Sequence, residues 1–146
     1  MKLLKNVLVL CLIFACAFSC IAYASDEISV VVDGQKVEFD VPPQIMEGRT
    51  MLPMRKTFEA FGANVEWIGE MNLVLATYKS KIVAMEIGKD NFKVTDVLEG
   101  KSEFFELDVK ATIVDGRTLV PVRAIAESFG FDVAWDGETR TVTITK

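Results

Sequence analysis

The chain carries one short string of residues twice. Residues 48–55 are Gly-Arg-Thr-Met-Leu-Pro-Met-Arg, and residues 116–123 are Gly-Arg-Thr-Leu-Val-Pro-Val-Arg. Without gaps, about 18 of the roughly 40 residues from 38 to 77 are identical to the residue about 68 positions later, which indicates an internal repeat. We expect residue types present in both copies to serve a shared fold, because a single catalytic site needs residues that only one copy has.

The recurring residues therefore predict a structural motif. Its members in the first copy are Gly48, Arg49, Thr50, Pro53, Arg55, Glu59, Gly62 and Trp67, and those in the second copy are Gly116, Arg117, Thr118, Pro121, Arg123, Glu127, Gly130 and Trp135.

Residues 1–24 are typical of a secretory signal peptide. Lys2 and Lys5 precede an apolar run at 7–18, and the small-x-small sequence at 22–24 suits cleavage. Because no later segment has the roughly 20 apolar residues of a membrane span, we expect a secreted protein without a transmembrane segment. Retention of the secreted protein at the cell surface is a variant of this expectation. Lipid anchoring at Cys20 is the alternative.

The composition restricts the chemistry and the partners. All three cysteines, Cys11, Cys16 and Cys20, precede the expected cleavage point, so no disulfide or thiol nucleophile is predicted after it. The net charge is −5 for the whole chain, and it becomes about −7 once Lys2 and Lys5 are removed. This acidic balance argues against binding nucleic acid, anionic lipid or anionic wall polymers.

The local patterns predict an α+β fold. Apolar residues recur at helical spacing after Pro53 and Pro121, which suit a first helical position, and Gly62 and Gly130 suit the helix ends. Turn signals such as Asp33-Gly34, residues 88–90 and Asp136-Gly137 separate alternating strands. We expect two tandem β-hairpin/short helix/β-hairpin repeats with antiparallel sheets, each packing one short helix. The predicted segments are the leader at 1–24, the first repeat at 25–79 and the second at 80–146, with the repeats packed as one unit.

The repeated string, followed by Glu, Phe-Gly, Val-x-Trp and, at 136–142, Asp-Gly-Glu-Thr-Arg-Thr-Val, resembles the copper amine oxidase N-terminal-like (stalk) domain family. The similarity covers 28–144. It implies a non-catalytic extracellular module of the kind that accompanies other domains in secreted proteins of Gram-positive bacteria, and it implies no functional residues. In the first copy the similarity weakens after Trp67.

The chemistry that the family name suggests does not fit this chain. Copper amine oxidases need imidazole ligands and a tyrosine that becomes a quinone, but the chain has no histidine and its only tyrosine beyond the leader is Tyr78. Met46, Met51 and Met54 resemble a Cu(I) site, yet they correspond to aliphatic residues in the second copy and are expected in the core. We predict no metal, no cofactor and no enzyme activity. A hydrolase with a carboxylate pair is a weaker alternative.

Two helical pairs of opposite charge occur four residues apart. Arg55 precedes Glu59, and Arg123 precedes Glu127. We expect structural ion pairs that Arg49 or Arg117 joins, with the arginines also bonding carbonyls.

The two tryptophans allow two interpretations. Strand alternation places Trp67 beside Val65 and Trp135 beside Val133, which favours packing in the core. The alternative is stacking of an exposed indole on a ligand. Together the patterns predict a non-catalytic stalk or protein-interaction module with envelope or extracellular proteins as partners, and a carbohydrate- or peptidoglycan-binding module as the alternative.

Overall fold

A computed structural model describes residues 26–146 of the chain. The predicted leader, its cysteines and the lipidation alternative at Cys20 lie outside the described residues. The described part forms three sheets, mostly antiparallel, and two short α-helices, consistent with the α+β prediction.

The first sheet joins the two ends of the described chain. Its strands are β1 (Ser29–Val32), β2 (Gln35–Lys36), β12 (Asp132–Asp136) and β13 (Thr141–Thr145), in the order β12-β13-β1-β2. β1 runs parallel to β13, with Val30 opposite Val142 and Val32 opposite Ile144. The expectation of purely antiparallel sheets is therefore wrong here, because pairing with the far end of the chain buries these four apolar side chains.

The second sheet brings together the two copies of the repeated string. It contains β3 (Gln44–Met46), β4 (Arg49–Pro53), β10 (Thr112–Val114) and β11 (Arg117–Pro121), in the order β10-β11-β4-β3. At its centre β4 and β11 are antiparallel, and Leu52 lies opposite Val120. These two residues hold the same position in their respective copies.

The third sheet is an antiparallel meander in sequence order. Its strands are β5 (Asn64–Ile68), β6 (Leu73–Tyr78), β7 (Lys81–Glu86), β8 (Asn91–Asp96) and β9 (Lys101–Glu106). A 3-10 turn at Gly69–Met71 joins β5 to β6 and ends at Asn72, which has a left-handed backbone. The expected boundary between 79 and 80 lies in the turn from β6 to β7. Each sheet therefore contains strands from both predicted segments.

Three of the hairpins are closed by two-residue turns in which both residues have positive φ. Asp33-Gly34, Glu47-Gly48 and Asp115-Gly116 all have positive φ, as type I′ turns require. The hairpin predicted at Asp33-Gly34 is confirmed, although its second arm ends as a strand at Lys36. Asp136 closes the last hairpin differently, since its side chain accepts hydrogen bonds from two backbone N–H groups of the loop.

The two helices are α1 (Met54–Ala60) and α2 (Val122–Phe129). Pro53 and Pro121 are the residues just before the helices, one position earlier than expected, because each still belongs to a strand of the second sheet. The predicted ends are confirmed, since Gly62 has a φ of 86° and Gly130 has a φ of 94°. Each helix lays its apolar side against the sheets.

The main hydrophobic core draws on both copies. Phe58 of α1 meets Phe129 of α2 with ring centroids 6.1 Å apart, and Phe61 meets Phe131 at 4.8 Å. Tyr78 closes the cluster at 5.0 Å from Phe131. A second, smaller cluster consists of Val41, Met51, Val109 and Leu119. Aromatic residues on both sides of position 80 thus share one core.

Candidate ligand-binding grooves

Both tryptophans are part-exposed. Trp67 is 40% exposed and Trp135 is 38% exposed, so the prediction that they are buried core residues is wrong. Strand alternation places Trp67 on the same face of β5 as the buried Val65. Near Trp67, however, other residues cover this face only in part. The indoles instead line two open cavities.

A glycine in the following turn lies close to each indole. The Nε1 atom of Trp67 lies 3.3 Å from the place that a Cβ on Gly69 would occupy, and Nε1 of Trp135 lies 3.6 Å from the corresponding place on Gly137. Across the hairpins, Trp67 lies opposite Val74 and Trp135 lies opposite Val142. The two indoles therefore have matching local surroundings.

The Trp67 groove is a cavity of about 610 Å³. It lies between α1 with the β5–β6 hairpin on one side and the Asp115-Gly116 turn region on the other. Its lining residues are Asp40, Pro53, Met54, Arg55, Lys56, Val65, Trp67, Val74, Ile113, Gly116, Arg117 and Thr118.

The Trp135 groove is a cavity of about 510 Å³ on the equivalent surface of the other copy. Its lining residues are Ile45, Gly48, Arg49, Thr50, Glu106, Asp108, Pro121, Val122, Arg123, Ala124, Glu127, Val133, Ala134, Trp135 and Val142. Every residue of the Trp67 groove has its counterpart here. Each groove combines the helix and tryptophan of one copy with the Gly-Arg-Thr turn of the other, so neither groove forms from one copy alone.

Two ion pairs hold the turns across the copies. Nε and Nη2 of Arg49 each lie 2.6 Å from Oδ2 of Asp108. Arg117 binds Asp40 in the same two-pronged way, with 2.8 Å between Nε and Oδ2. The expectation that Arg49 or Arg117 joins the helical ion pairs is therefore wrong, because aspartates from the other copy lie within reach of both.

The pKa of Asp40 reflects this contact. The hydrogen bond from Arg117 holds the pKa of the Asp40 carboxyl below its usual value, against an opposing effect of desolvation. The carboxylate therefore remains charged under mildly acidic conditions. The guanidinium of Arg117 is in turn paired with the Asp40 carboxylate.

The helical ion pairs are loose. Arg55 Nη1 lies 3.8 Å from Glu59 Oε1, and Arg123 Nε lies 3.9 Å from Glu127 Oε1. All four side chains are about half exposed, and such pairs contribute only about 0.3–0.5 kcal/mol. Arg55 also donates a 3.1 Å hydrogen bond to the carbonyl of Val65, which confirms the expected bond to a carbonyl for this arginine.

The remaining motif residues shape the grooves or the backbone. Thr50 and Thr118 are half-buried in the groove walls. The sequence predictions missed Ile45 and Ile113, which are 48% and 53% exposed and stand in the two grooves. They also missed Asp40 and Asp108. All four are identical in the two copies, so the repeat itself was the signal that could have identified them.

The methionines that resemble a Cu(I) site are part of the apolar packing. Met51 and Met54 are almost fully buried in two different apolar clusters, which confirms their expected role in packing. Within residues 26–146, no three His, Cys, Asp or Glu side chains come together as a metal site. No helix of this part of the chain has the length and hydropathy to cross a membrane.

Comparison with known proteins places the chain in a family. A comparison with curated proteins found no match. The family model described as the copper amine oxidase N-terminal domain matches residues 31–144. This match covers both grooves and most of the described chain. The chain belongs to the copper amine oxidase N-terminal domain family, which is a family of non-catalytic domains.

Proposed function

We propose that this chain is a non-catalytic, secreted or cell-surface module that binds carbohydrate of the cell envelope in its two grooves. The observation that carries this proposal is the pair of part-exposed indoles at equivalent places in equivalent cavities. A part-exposed indole offers an apolar surface with a polar N–H at its edge, which suits the apolar face and hydroxyl rim of a sugar ring.

The dimensions and lining of the grooves support a small ligand. Cavities of about 300–1,000 Å³ with apolar walls and a few polar groups are typical of small-molecule sites. In the Trp67 groove, Ile113 and Trp67 provide apolar surface, while Arg55 and Thr118 provide hydrogen-bond donors. The Trp135 groove offers the same combination. A short oligosaccharide fits this mixture better than a wholly apolar ligand does.

A stalk or protein-interaction role is the second candidate. β9 is an edge strand of the third sheet, and its Phe104 is 74% exposed. Leu98, in the preceding turn, is 86% exposed. An exposed edge with large apolar side chains supports strand addition by a partner protein. Crosslinking from the native envelope, compared between wild type and Phe104→Ala, tests this second candidate.

The two predicted repeats form part of the proposal. We infer that 25–79 and 80–146 are duplicated units related by an approximate two-fold axis near Leu52 and Val120. The reciprocal ion pairs from Arg49 and Arg117 support this relation. In this arrangement each copy completes the groove of the other.

Secretion is tested at the amino terminus. Protein recovered from the medium or cell surface of the source organism should begin at Ser25. A lipid-modified amino terminus at Cys20 would instead establish anchoring. An unprocessed chain retained inside the cell would contradict the proposed location.

The main experiment measures binding to purified cell-wall glycan and to defined oligosaccharides. We expect Trp67→Ala and Trp135→Ala each to weaken binding, and the double variant to abolish it. Phe104→Ala is the matched control, since it removes an exposed aromatic ring outside the grooves. Unchanged binding in the folded double variant would refute the groove assignment. Release of reducing sugar from the glycan would refute the non-catalytic part.

A further inference from the structure

The Trp67 groove has an excess of positive charge. Its wall carries Arg55, Lys56 and Arg117 against the single carboxylate of Asp40. This local excess is opposite in sign to the net charge of the chain. The acidic balance of the whole sequence therefore does not describe the surface around Trp67.

The Trp135 groove has the opposite balance. Ala124 occupies the position that corresponds to Lys56, so one cation is missing. The remaining cations, Arg49 and Arg123, face three carboxylates, which belong to Glu106, Asp108 and Glu127. The two equivalent cavities thus share an indole and an isoleucine. Glu59, the counterpart of Glu127, lies 3.8 Å from Arg55 but is not among the residues that line the Trp67 groove, so the substituted charged position between the two walls is Lys56 in place of Ala124.

The cations of the Trp67 groove are unequally available. Arg117 is occupied by Asp40. Arg55 gives one N–H to the Val65 carbonyl and lies at 3.8 Å from Glu59, so other guanidinium donors are available. Lys56 is exposed and forms no ion pair with any residue of 26–146. Arg55 and Lys56 are adjacent on α1 and border the same cavity as the indole.

We infer that the Trp67 groove binds a pyranose that bears a carboxylate, whereas the Trp135 groove disfavours it. Trp67 contacts the ring, and Arg55 and Lys56 hold the carboxylate. Hydrogen bonds between a cation and a carboxylate are about twice as strong as neutral ones, and the carboxylates of the Trp135 groove repel the same ligand. This inference rests on the proposed function and adds the chemical class of one ligand.

The test uses sugars that differ by one carboxylate. N-acetylmuramic acid is compared with N-acetylglucosamine, and a hexuronic acid oligosaccharide is compared with its neutral hexose counterpart. The two pairs distinguish a lactyl ether carboxylate from a uronate as the source. Affinity is measured by calorimetry at low salt and at about 0.5 M salt, where electrostatic attraction between exposed groups is largely screened.

The variants exchange the residue that distinguishes the grooves. Lys56→Ala should weaken binding of the carboxylated sugar by about 3- to 10-fold, the loss of roughly one exposed charge-assisted contact, and should weaken binding of the neutral sugar by a smaller factor. Ala124→Lys should strengthen carboxylate binding in the Trp135 groove. Lys89→Ala, in an exposed turn outside both grooves, is the control and should change neither.

The possible results separate the preference for a carboxylate from the proposed binding of carbohydrate. Preference for the carboxylated sugar that disappears at high salt and in Lys56→Ala supports the inference. Equal affinity for both members of each pair overturns the inference but leaves the proposed function intact, provided that Trp67→Ala still weakens binding. Absence of binding to all four sugars by the folded wild type overturns both.

Discussion

Replacing Leu52 by alanine should destabilise both copies at once. Leu52 is fully buried in the main core and lies opposite Val120 at the centre of the second sheet. Leucine-to-alanine changes at such sites cost about 3–5 kcal/mol, because the removed methyl groups leave a cavity. A single domain of this size has a total stability of about 5–15 kcal/mol, so the variant should remain folded with reduced stability.

The expected loss of stability in Leu52→Ala is large enough to be measured separately at each of the two tryptophans. At about 4 °C per kcal/mol for a domain of this size, the melting temperature should fall by about 12–20 °C. Trp67 and Trp135 are the only two tryptophans of the chain, so Trp67→Phe and Trp135→Phe backgrounds each retain one fluorescent reporter. Urea unfolding followed by fluorescence should show the same loss of stability at both indoles.

The control is Ile45→Ala on the adjacent strand β3. Ile45 is 48% exposed, so its removal should cost below about 1 kcal/mol. If Leu52→Ala shifts the transition seen at one indole and leaves the other unchanged, the copies unfold independently. Such a result would show that the two grooves do not depend on one shared core.

The backbone at Gly130, the charge on Asp40 and the sharing of sheets between the two segments can each be tested separately. Gly130→Ala should cost about 1 kcal/mol or more in urea unfolding, since its φ of 94° disfavours a side chain although nothing lies within 4 Å of an added Cβ; Gly137→Ala, without positive φ, should change stability by less than about 0.5 kcal/mol, and equal costs would contradict this. Because the pKa of Asp40 is lowered in the folded state, its stabilising contribution is present above about pH 4 and is lost as pH falls further. The difference in melting temperature between wild type and Asp40→Asn should therefore shrink below that pH, and a constant difference would argue against the Arg117 contact. The separate segments 25–79 and 80–146 should each lack a cooperative thermal transition by circular dichroism, because each sheet needs strands from both; a cooperative transition in either segment would be inconsistent with this dependence.

The local structure was largely predictable from the sequence. The Asp33-Gly34 and Asp136-Gly137 turns, both helices and the left-handed Gly62 and Gly130 depend on residues within a few positions of one another. The turn after β5 does not follow from the sequence in the same way, because the first copy has Ile68-Gly69 where the second has Asp136-Gly137. In the structure it is a 3-10 turn that ends at Asn72.

The long-range arrangement was not predictable in the same way. β1 and β13 lie at opposite ends of the described chain, and periodicity within one segment does not determine its distant partner. The ion pair between Arg49 and Asp108 was unpredictable for the same reason, because helical spacing indicates only partners that are close in sequence, such as Glu59. Alternation correctly placed Trp67 beside Val65 but did not indicate how much of that sheet face another element covers.

The number of binding sites per chain distinguishes two equivalent ligand grooves from a single groove. Calorimetric titration of the wild-type protein with a neutral oligosaccharide from the cell wall should give two sites per chain. Trp67→Ala and Trp135→Ala should each leave one site, and the double variant should leave none. A stoichiometry that neither folded tryptophan variant changes would contradict the account of two equivalent ligand grooves.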